Sequence, residues 1–307
     1  MMLFKIAWFS LMVLLLAACG TSTEESSKEV VKKVDPMESF AKKVKDYRPE
    51  NFVINPGGVV KLKLPVLKGF ENFTLKCKGN TIPHYIEGKK AISYISESYF
   101  SRLAPFSCTY DFSQNRYVDK VVIANFRVEQ KEYPKEYLRV DKKRVFLSKK
   151  DLSRVLKEQK VLNRVYGNFV KRPLFSTGFI MPLNSKITSY YGIRRIYNNK
   201  KKGQHLGTDF RARVGVPIHS TNAGKVVLSR NLFYTGMTVI LDHGMGIFTV
   251  YGHLSKLLVD EGEYVPMNTL LGLSGRSGRV TGPHLHWGVK IHGNWVDGQV
   301  LVKETQN

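Results

Sequence analysis

The C-terminal part of the sequence, from about Pro173, consists of short apolar runs rich in β-branched residues and separated by glycine-containing turns. Three of these runs cover residues 225–228, 237–241 and 247–251, and Asp242-His243-Gly244-Met245-Gly246 separates the last two. Runs of this length between turn residues are typical of paired β-strands. We therefore expect an all-β domain over residues 173–307.

Histidine is concentrated in this domain, which contains seven of the eight histidines; only His84 lies elsewhere. His284-Leu285-His286 is predicted to be a strand, and because residues i and i+2 of a strand point to the same face, its two imidazoles would lie side by side. His205 and Asp209 lie where a loop leads into another strand. Two nitrogens and one oxygen, with water as the fourth ligand, suit an open tetrahedral Zn²⁺ site. Either pair alone is also explained by ordinary surface residues.

A further histidine, His253, follows the apolar strand that ends in Tyr251-Gly252. Taken alone it would be a core residue with a hydrogen-bonded ring. The sequence contains no HExxH motif, whose glutamate would be the general base of a zinc peptidase. If zinc activates water here, proton transfer falls to imidazoles, and His253 and His284 are available.

In their order along the chain, these motifs strongly resemble those of the lysostaphin-type zinc metalloendopeptidases, cell-wall hydrolases with LytM-type domains. The family pattern is HxxxD, then a histidine after a strand, then HxH. The resemblance covers roughly residues 173–302, and it extends to the surrounding segments 187–195, 215–218, 242–244 and 272–278. It implies a twisted antiparallel β-sheet domain of the duplicated hybrid motif type, with a groove over the metal.

Transferred residue by residue, the resemblance implies that His205, Asp209 and His286 bind Zn²⁺ and that His253 and His284 form the catalytic pair. It implies an endopeptidase that hydrolyses peptide cross-links or stem peptides of peptidoglycan. The alternative is a non-enzymatic wall-binding or amidase-activating lipoprotein, because some relatives have lost ligands. All five residues are present here, which favours the enzyme. A secreted protease acting on other proteins would share the fold.

The first 18 residues are predicted to be a signal peptide, because a basic head precedes an apolar run, residues 6–18, that is shorter than the ~20 residues of a spanning helix. Leu16-Ala17-Ala18-Cys19-Gly20 resembles the bacterial lipobox, whose cysteine is lipidated and begins the mature chain. We therefore expect a Gram-negative lipoprotein, anchored through the lipid on Cys19 to the periplasmic face of the outer membrane. Secretion and inner-membrane anchoring are the alternatives.

Three further segments are predicted between the signal and the peptidase domain. Residues 19–50 would form a lipidated tether followed by a short helix that begins near Asp35. Residues 51–130 show period-two alternation, as in Lys61-Leu62-Lys63-Leu64, which predicts a small β-sandwich. Residues 131–172 form a strongly basic connector, with a helix capped at Ser148.

The cysteines and the net charge bear on the cellular compartment and on the partner. Cys77 and Cys108 lie on apolar faces of predicted strands, and in an oxidising compartment they could form a disulfide or remain buried thiols.

The chain has 48 basic and 25 acidic residues, a net charge of +23. For an exported protein this indicates an anionic partner, such as peptidoglycan carboxylates or lipid head groups, and not nucleic acid; a basic surface that serves solubility is the alternative. The sequence predicts no oligomeric state.

Overall fold

The computed structural model describes residues 47–66, 72–114, 117–138, 147–198 and 201–306, which belong to one compact unit. The predicted signal peptide, lipobox and tether, and the helix expected near Asp35, lie outside the described residues. Within the described ranges, neither helix is long and apolar enough to cross a bilayer.

In the described ranges, nine strands precede the first helix: β1 (Glu50–Ile54), β2 (Val59–Pro65), β3 (Thr74–Cys77), β4 (Asn80–Thr81), β5 (Tyr85–Glu87), β6 (Lys90–Ser96), β7 (Phe106–Gln114), β8 (Tyr117–Val128) and β9 (Lys135–Leu138). Five of them form one sheet in the order β1-β8-β7-β3-β4, and three form a second in the order β2-β6-β5. In β2, Leu62 and Leu64 are buried and Lys63 is exposed, as the alternation predicts.

The two cysteines of this region form a disulfide between neighbouring strands. Antiparallel pairing of β3 with β7 places Cys77 directly opposite Cys108, with their Cα atoms 4.2 Å apart. Both residues are buried, and Leu75 and Tyr110, which are also buried, face each other next to them. The disulfide therefore lies inside the apolar layer of the five-stranded sheet.

The connecting helix, α1 (Lys149–Gly167), begins after the N-cap residue Ser148, whose hydroxyl accepts a hydrogen bond from the backbone N–H of Asp151. Its Val161, Leu162, Val165 and Tyr166 pack on an apolar cluster of the C-terminal strands that includes Phe248. The Tyr166 ring meets Phe248 edge-on, with 5.2 Å between ring centroids. One face of the helix is therefore anchored by apolar contacts, and its lysines lie towards solvent.

The remaining described elements are β10 (Ile187–Ser189), β11 (Arg194–Tyr197), β12 (Lys201–Gln204), β13 (Thr208–Arg211), β14 (Pro217–His219), β15 (Gly224–Leu232), β16 (Gly236–Asp242), β17 (Ile247–Leu257), β18 (Tyr264–Val265), β19 (Leu270–Ser274), β20 (His284–Ile291), β21 (Asn294–Val296) and α2 (Gly298–Gln306). Most of these strands form one antiparallel sheet in the order β10-β13-β20-β17-β16-β15-β18. The predicted mainly β fold with a connecting helix is confirmed.

One face of this large sheet forms the main core, and the other carries both the polar site and the apolar cluster that packs against α1. Val239, Tyr251, Leu285 and Trp287 lie in the core with almost no exposed surface. The same cluster includes Val59 of β2 and Tyr94 of β6, so the second N-terminal sheet packs into the core of the large C-terminal sheet. The domain boundaries proposed from the sequence remain predictions.

A small mixed sheet links the basic connector to the strands beside the site. β9 pairs in parallel with β11, and β11 pairs antiparallel with β12. Just before β11, Gly192 has a φ of +87° and lies against the Tyr133 ring, so only glycine fits there. Its N–H donates to the carbonyl of His205 at 2.7 Å. The connector thus contacts the segment that holds His205.

Candidate metal centre and active site

Strand pairing brings the distant motifs together on one face of the large sheet. Antiparallel pairing of β13 with β20 places Asp209 directly opposite His286. On the other side of β20, Gly252 of β17 is opposite His286, so His253 follows at the same edge. His205 lies in the loop just before β13. All five residues predicted to form the site line one cavity of about 350 Å³.

Three donor atoms from His205, Asp209 and His286 converge at one point. His205 Nε2 lies 2.9 Å from Asp209 Oδ1 and 3.2 Å from His286 Nδ1, and His286 Nδ1 lies 2.8 Å from Asp209 Oδ1. His205 and Asp209 are buried and His286 is half-buried.

These distances fit a zinc ion. Ligands about 2.0–2.1 Å from a tetrahedral ion are roughly 3.3 Å from one another, close to the separations between the three donors. Two imidazoles and one carboxylate are also a donor set typical of catalytic zinc, which keeps its fourth position open. His205, Asp209 and His286 are therefore the residues that would hold Zn²⁺.

Hydrogen bonds outside the donor set orient the ligands. His205 Nδ1 donates to the backbone carbonyl of Tyr190 at 3.0 Å, which leaves Nε2 with its lone pair facing the centre. The second oxygen of Asp209, Oδ2, accepts from Arg195 Nη2 at 3.1 Å. Burial raises the pKa of Asp209, but the neighbouring His205 and His286 lower it by more and hold the pKa far below the usual range. Asp209 is therefore ionised, as a metal ligand must be.

Glycine is required at position 207 because the His286 ring fills the space that a side chain would occupy. A Cβ on Gly207 would lie 2.5 Å from His286 Cε1 and 2.7 Å from the carbonyl oxygen of Trp287. The backbone of the loop between His205 and Asp209 can therefore pass directly over the third ligand. The HxxxD motif therefore depends on more than the spacing of its two ligands: Gly207, which lies between them, leaves room for the His286 ring.

The two histidines predicted to be catalytic lie beside the donor set. His253 Nδ1 donates to the carbonyl of Ser277 at 2.9 Å, and His284 Nδ1 donates to that of Gly282 at 2.9 Å. Because each carbonyl can only accept, each ring is left with Nε2 for chemistry. His284 Nε2 lies 3.7 Å from Asp209 Oδ1, and the rings of His253 and His284 are 4.8 Å apart.

His253 also has an unusual backbone and environment. Its φ of +63° is in the left-handed region, which a non-glycine residue adopts at a cost of order 1–2 kcal/mol and which is enriched at functional sites. Burial, followed by the nearby His286 and His284, lowers the pKa of His253 to about 3. The ring is therefore neutral at neutral pH, with the lone pair of Nε2 free of a proton.

The cavity includes residues that the sequence did not assign to the site: Glu136, Arg195, Gln204, Tyr234, Thr235, Arg279, Val280 and Thr281. Arg195 lies inside a segment that resembled the family, and that signal could have drawn attention to it. Glu136 comes from the basic connector, for which no sequence pattern indicated a place near the metal. The histidines His243 and His292 do not line the cavity; each donates to a backbone carbonyl elsewhere.

Comparison with known proteins agrees with this geometry. The model of peptidase family M23 matches residues 203–298. The chain is 42% identical over 119 residues to peptidoglycan DD-endopeptidase ShyA of Vibrio cholerae, covering 38% of this chain and 28% of that protein. It is 34% identical over 152 residues to ShyB of the same organism, covering 49% and 35%. The chain therefore spans about a third of the length of these relatives.

A solved structure shows similarity over a larger part of the chain. The crystal structure of an M23-type protein from Pseudomonas aeruginosa superposes with a TM-score of 0.63 at 25% identity, and the match covers 86% of this chain and 99% of that one. A match this long extends beyond residues 203–298, so the arrangement of N-terminal sheets, connector and peptidase region occurs in another protein as well.

Proposed function

We propose that the protein is a zinc-dependent endopeptidase of peptidase family M23, whose model matches residues 203–298, and that it hydrolyses peptide bonds of peptidoglycan. The observation that carries the proposal is the convergence of a complete ligand set with two oriented imidazoles in one cavity. A wall-binding protein without activity has no need of His253 and His284 in these positions. The intact set therefore favours catalysis.

Two requirements of peptide hydrolysis are met by residues of the chain. His205, Asp209 and His286 would hold Zn²⁺, which would supply the Lewis acidity that polarises a carbonyl group and activates water. One ring of the pair His253 and His284 would accept the proton of the attacking water at its Nε2. The other, once its own Nε2 carries a proton, would donate a hydrogen bond to the carbonyl oxygen as negative charge develops there. The carbonyls of Ser277 and Gly282 fix the orientation of the two rings.

The relatives and the charge support peptidoglycan as the substrate. ShyA and ShyB are named peptidoglycan DD-endopeptidases. Peptidoglycan stem peptides carry free carboxylates, and the chain has a net charge of +23, with Arg195 and Arg279 lining the cavity. A peptide rich in carboxylates would therefore be attracted to this surface. This electrostatic attraction would contribute to binding whatever the sequence of the peptide.

We further propose that Cys19 is lipidated and anchors the enzyme to the periplasmic face of the outer membrane. The support is the lipobox-like sequence Leu16-Ala17-Ala18-Cys19-Gly20 after an apolar run. A substrate in the periplasm would be within reach of a chain tethered there by the polar segment 20–34.

The decisive experiment separates metal ligands from catalytic residues. Alanine at His205, Asp209 or His286 should lower both zinc content and the digestion of purified wall sacculi. His253→Ala and His284→Ala should keep most of the zinc and lose digestion by about 10²-fold or more, because proton transfer and charge stabilisation each supply about that factor.

The control is a histidine in the same sheet but outside the cavity. His219 does not line the cavity, so His219→Ala should keep both zinc and activity. Loss of zinc in His253→Ala, or near-normal digestion by either catalytic variant, would refute the assignment of roles. A zinc-loaded wild-type protein that binds sacculi and releases no peptide fragments, as judged by mass spectrometry, would establish the non-enzymatic alternative instead.

A further inference from the structure

The carboxylate of Asp209 is held at both of its oxygens. Oδ1 faces the nitrogens of His205 and His286, and Oδ2 accepts from Arg195 Nη2 at 3.1 Å. Asp209 is buried, with 7% of its side chain exposed, so water does little to orient it. The direction in which Oδ1 points therefore depends on where the Arg195 guanidinium lies.

Arg195 is itself held from two further sides. Its Nη2 donates to Ser189 Oγ at 2.9 Å, and its Nε donates to Glu136 Oε2 at 3.2 Å. Ser189 Oγ also lies 3.2 Å from His205 Nδ1, so the Ser189 hydroxyl contacts a second proposed ligand on the side of its ring away from the metal centre. The guanidinium is planar and has three acceptors around it, on Asp209, Ser189 and Glu136. Three acceptors fix the orientation of this plane, whereas a single acceptor would leave it free to rotate.

The position of Glu136 follows from strand register. β9 pairs in parallel with β11, and Glu136 is the residue opposite Arg195. β9 belongs to the basic connector, and both residues lie before residue 203, where the match to family M23 begins. The connector therefore supplies a carboxylate within two hydrogen-bonded contacts of the proposed metal centre.

We propose that Arg195 and Glu136 are positioning residues of the zinc centre. Arg195 orients the Asp209 carboxylate so that Oδ1 faces the ion, and Glu136 keeps the Arg195 guanidinium in the plane that this requires. The basic connector is thus a part of the metal site and not only a link between two regions. The inference rests on the proposed zinc centre, but it does not depend on the identity of the substrate.

The test is the zinc affinity of the full chain, measured by competition with a chelator of known affinity. The substitution Arg195→Lys keeps the positive charge beside Asp209. A lysine ammonium group, however, cannot contact Ser189, Asp209 and Glu136 at once. Because outer contacts to metal ligands typically contribute a factor of 10–100 in affinity, we expect Arg195→Lys to weaken zinc binding at least ~10-fold. Loaded with Co²⁺, this variant should also show an altered absorption spectrum, which reports ligand geometry directly.

Glu136→Gln tests the outer member of the network. It should weaken zinc binding less than Arg195→Lys does, and the double variant should bind zinc no more weakly than Arg195→Lys alone, because Glu136 acts through Arg195. If Glu136 acted only through its distant charge, the two losses would multiply. Multiplied losses would overturn the role given to Glu136.

The matched control is another arginine–carboxylate pair, Arg230 and Glu261, which is bidentate and exposed and does not line the cavity. Arg230→Lys and Glu261→Gln should leave zinc affinity and the Co²⁺ spectrum unchanged. A merely structural role for Arg195 would lower the melting temperature of the metal-free protein without changing zinc affinity, and that result would overturn the inference. If the wild-type protein itself binds no zinc, the proposed function fails first.

Discussion

Reduction of the Cys77–Cys108 disulfide should lower stability by an amount that can be calculated from its place in the chain. The two cysteines are separated by 31 residues, and the chain-entropy relation for a loop of this length gives about 3.7 kcal/mol at 25 °C. Both positions are buried, and free cysteine is readily accommodated in apolar surroundings, so the reduced protein should still fold. Most of the loss should therefore come from the greater freedom of the unfolded chain.

The assay is urea unfolding followed by far-UV circular dichroism, with and without a phosphine reductant, in a Cys19→Ser background that prevents disulfide exchange. The midpoint should fall on reduction, and the slope of free energy against urea should rise, because a chain without the cross-link unfolds further. A Cys77→Ala/Cys108→Ala variant should not respond to the reductant. A difference below about 1 kcal/mol between oxidised and reduced protein would refute the reasoning.

Three further predictions follow from single positions. Gly207→Ala should weaken zinc binding at least ~10-fold in chelator competition, because its Cβ would push on His286, whereas Gly167→Ala, which meets open space, should have no effect; equal affinities would contradict this. Burial lowers the pKa of His243 to about 4, below the ~6.5 of the unfolded chain, so stability should be constant above pH ~6.5 and fall by up to about 3 kcal/mol towards pH 4. His243→Gln should flatten this dependence in unfolding experiments across that pH range, and parallel curves would count against the explanation. Cys19→Ser should move the protein from membrane to soluble fractions, and unchanged fractionation would exclude the lipid anchor.

The strands of the peptidase region could be predicted from the sequence because their signal is local. Runs such as residues 237–241 and 247–251 became β16 and β17, and the turn between them was visible in its glycines. Which strands lie next to each other in the sheet could not be predicted in the same way. β20 follows β17 by more than 25 residues of chain, and yet it lies directly beside it and carries His284 and His286. Pairing of this kind depends on packing between distant segments.

The pairing of the cysteines could not be predicted from local sequence either, because it depends on strand register to within one residue. Alternation in β3 and β7 placed Cys77 and Cys108 on apolar faces, but it left a disulfide and two buried thiols as alternatives. The choice depends on register, because a shift of one residue would turn one of the cysteines to the other face of the sheet. In the structure the two residues are directly opposite each other.

The ligand set could be predicted because each of its pieces is a short motif, but the contacts that orient the ligands are long-range. Glu136 is 59 residues from Arg195, and no local pattern relates them. The sequence also contains two adjacent arginines. On strand β11 they point to opposite sides: Arg194 is exposed, and Arg195 reaches Asp209. Which of them faces the site is set by pairing with β9, so it could not be read from the motif.

The outer contacts of the metal ligands come largely from residues before the segment that matches family M23. His205 donates to the carbonyl of Tyr190, Asp209 accepts from Arg195, and both groups precede residue 203. The segment from Tyr190 to Arg195 is in turn fixed from the connector side, by the Tyr133 ring against Gly192 and by pairing with β9. A metal ligand is useful only in the orientation in which its lone pair faces the ion, and outer contacts set that orientation. The proposed metal site therefore begins in the connector, well before the residues that would bind the ion.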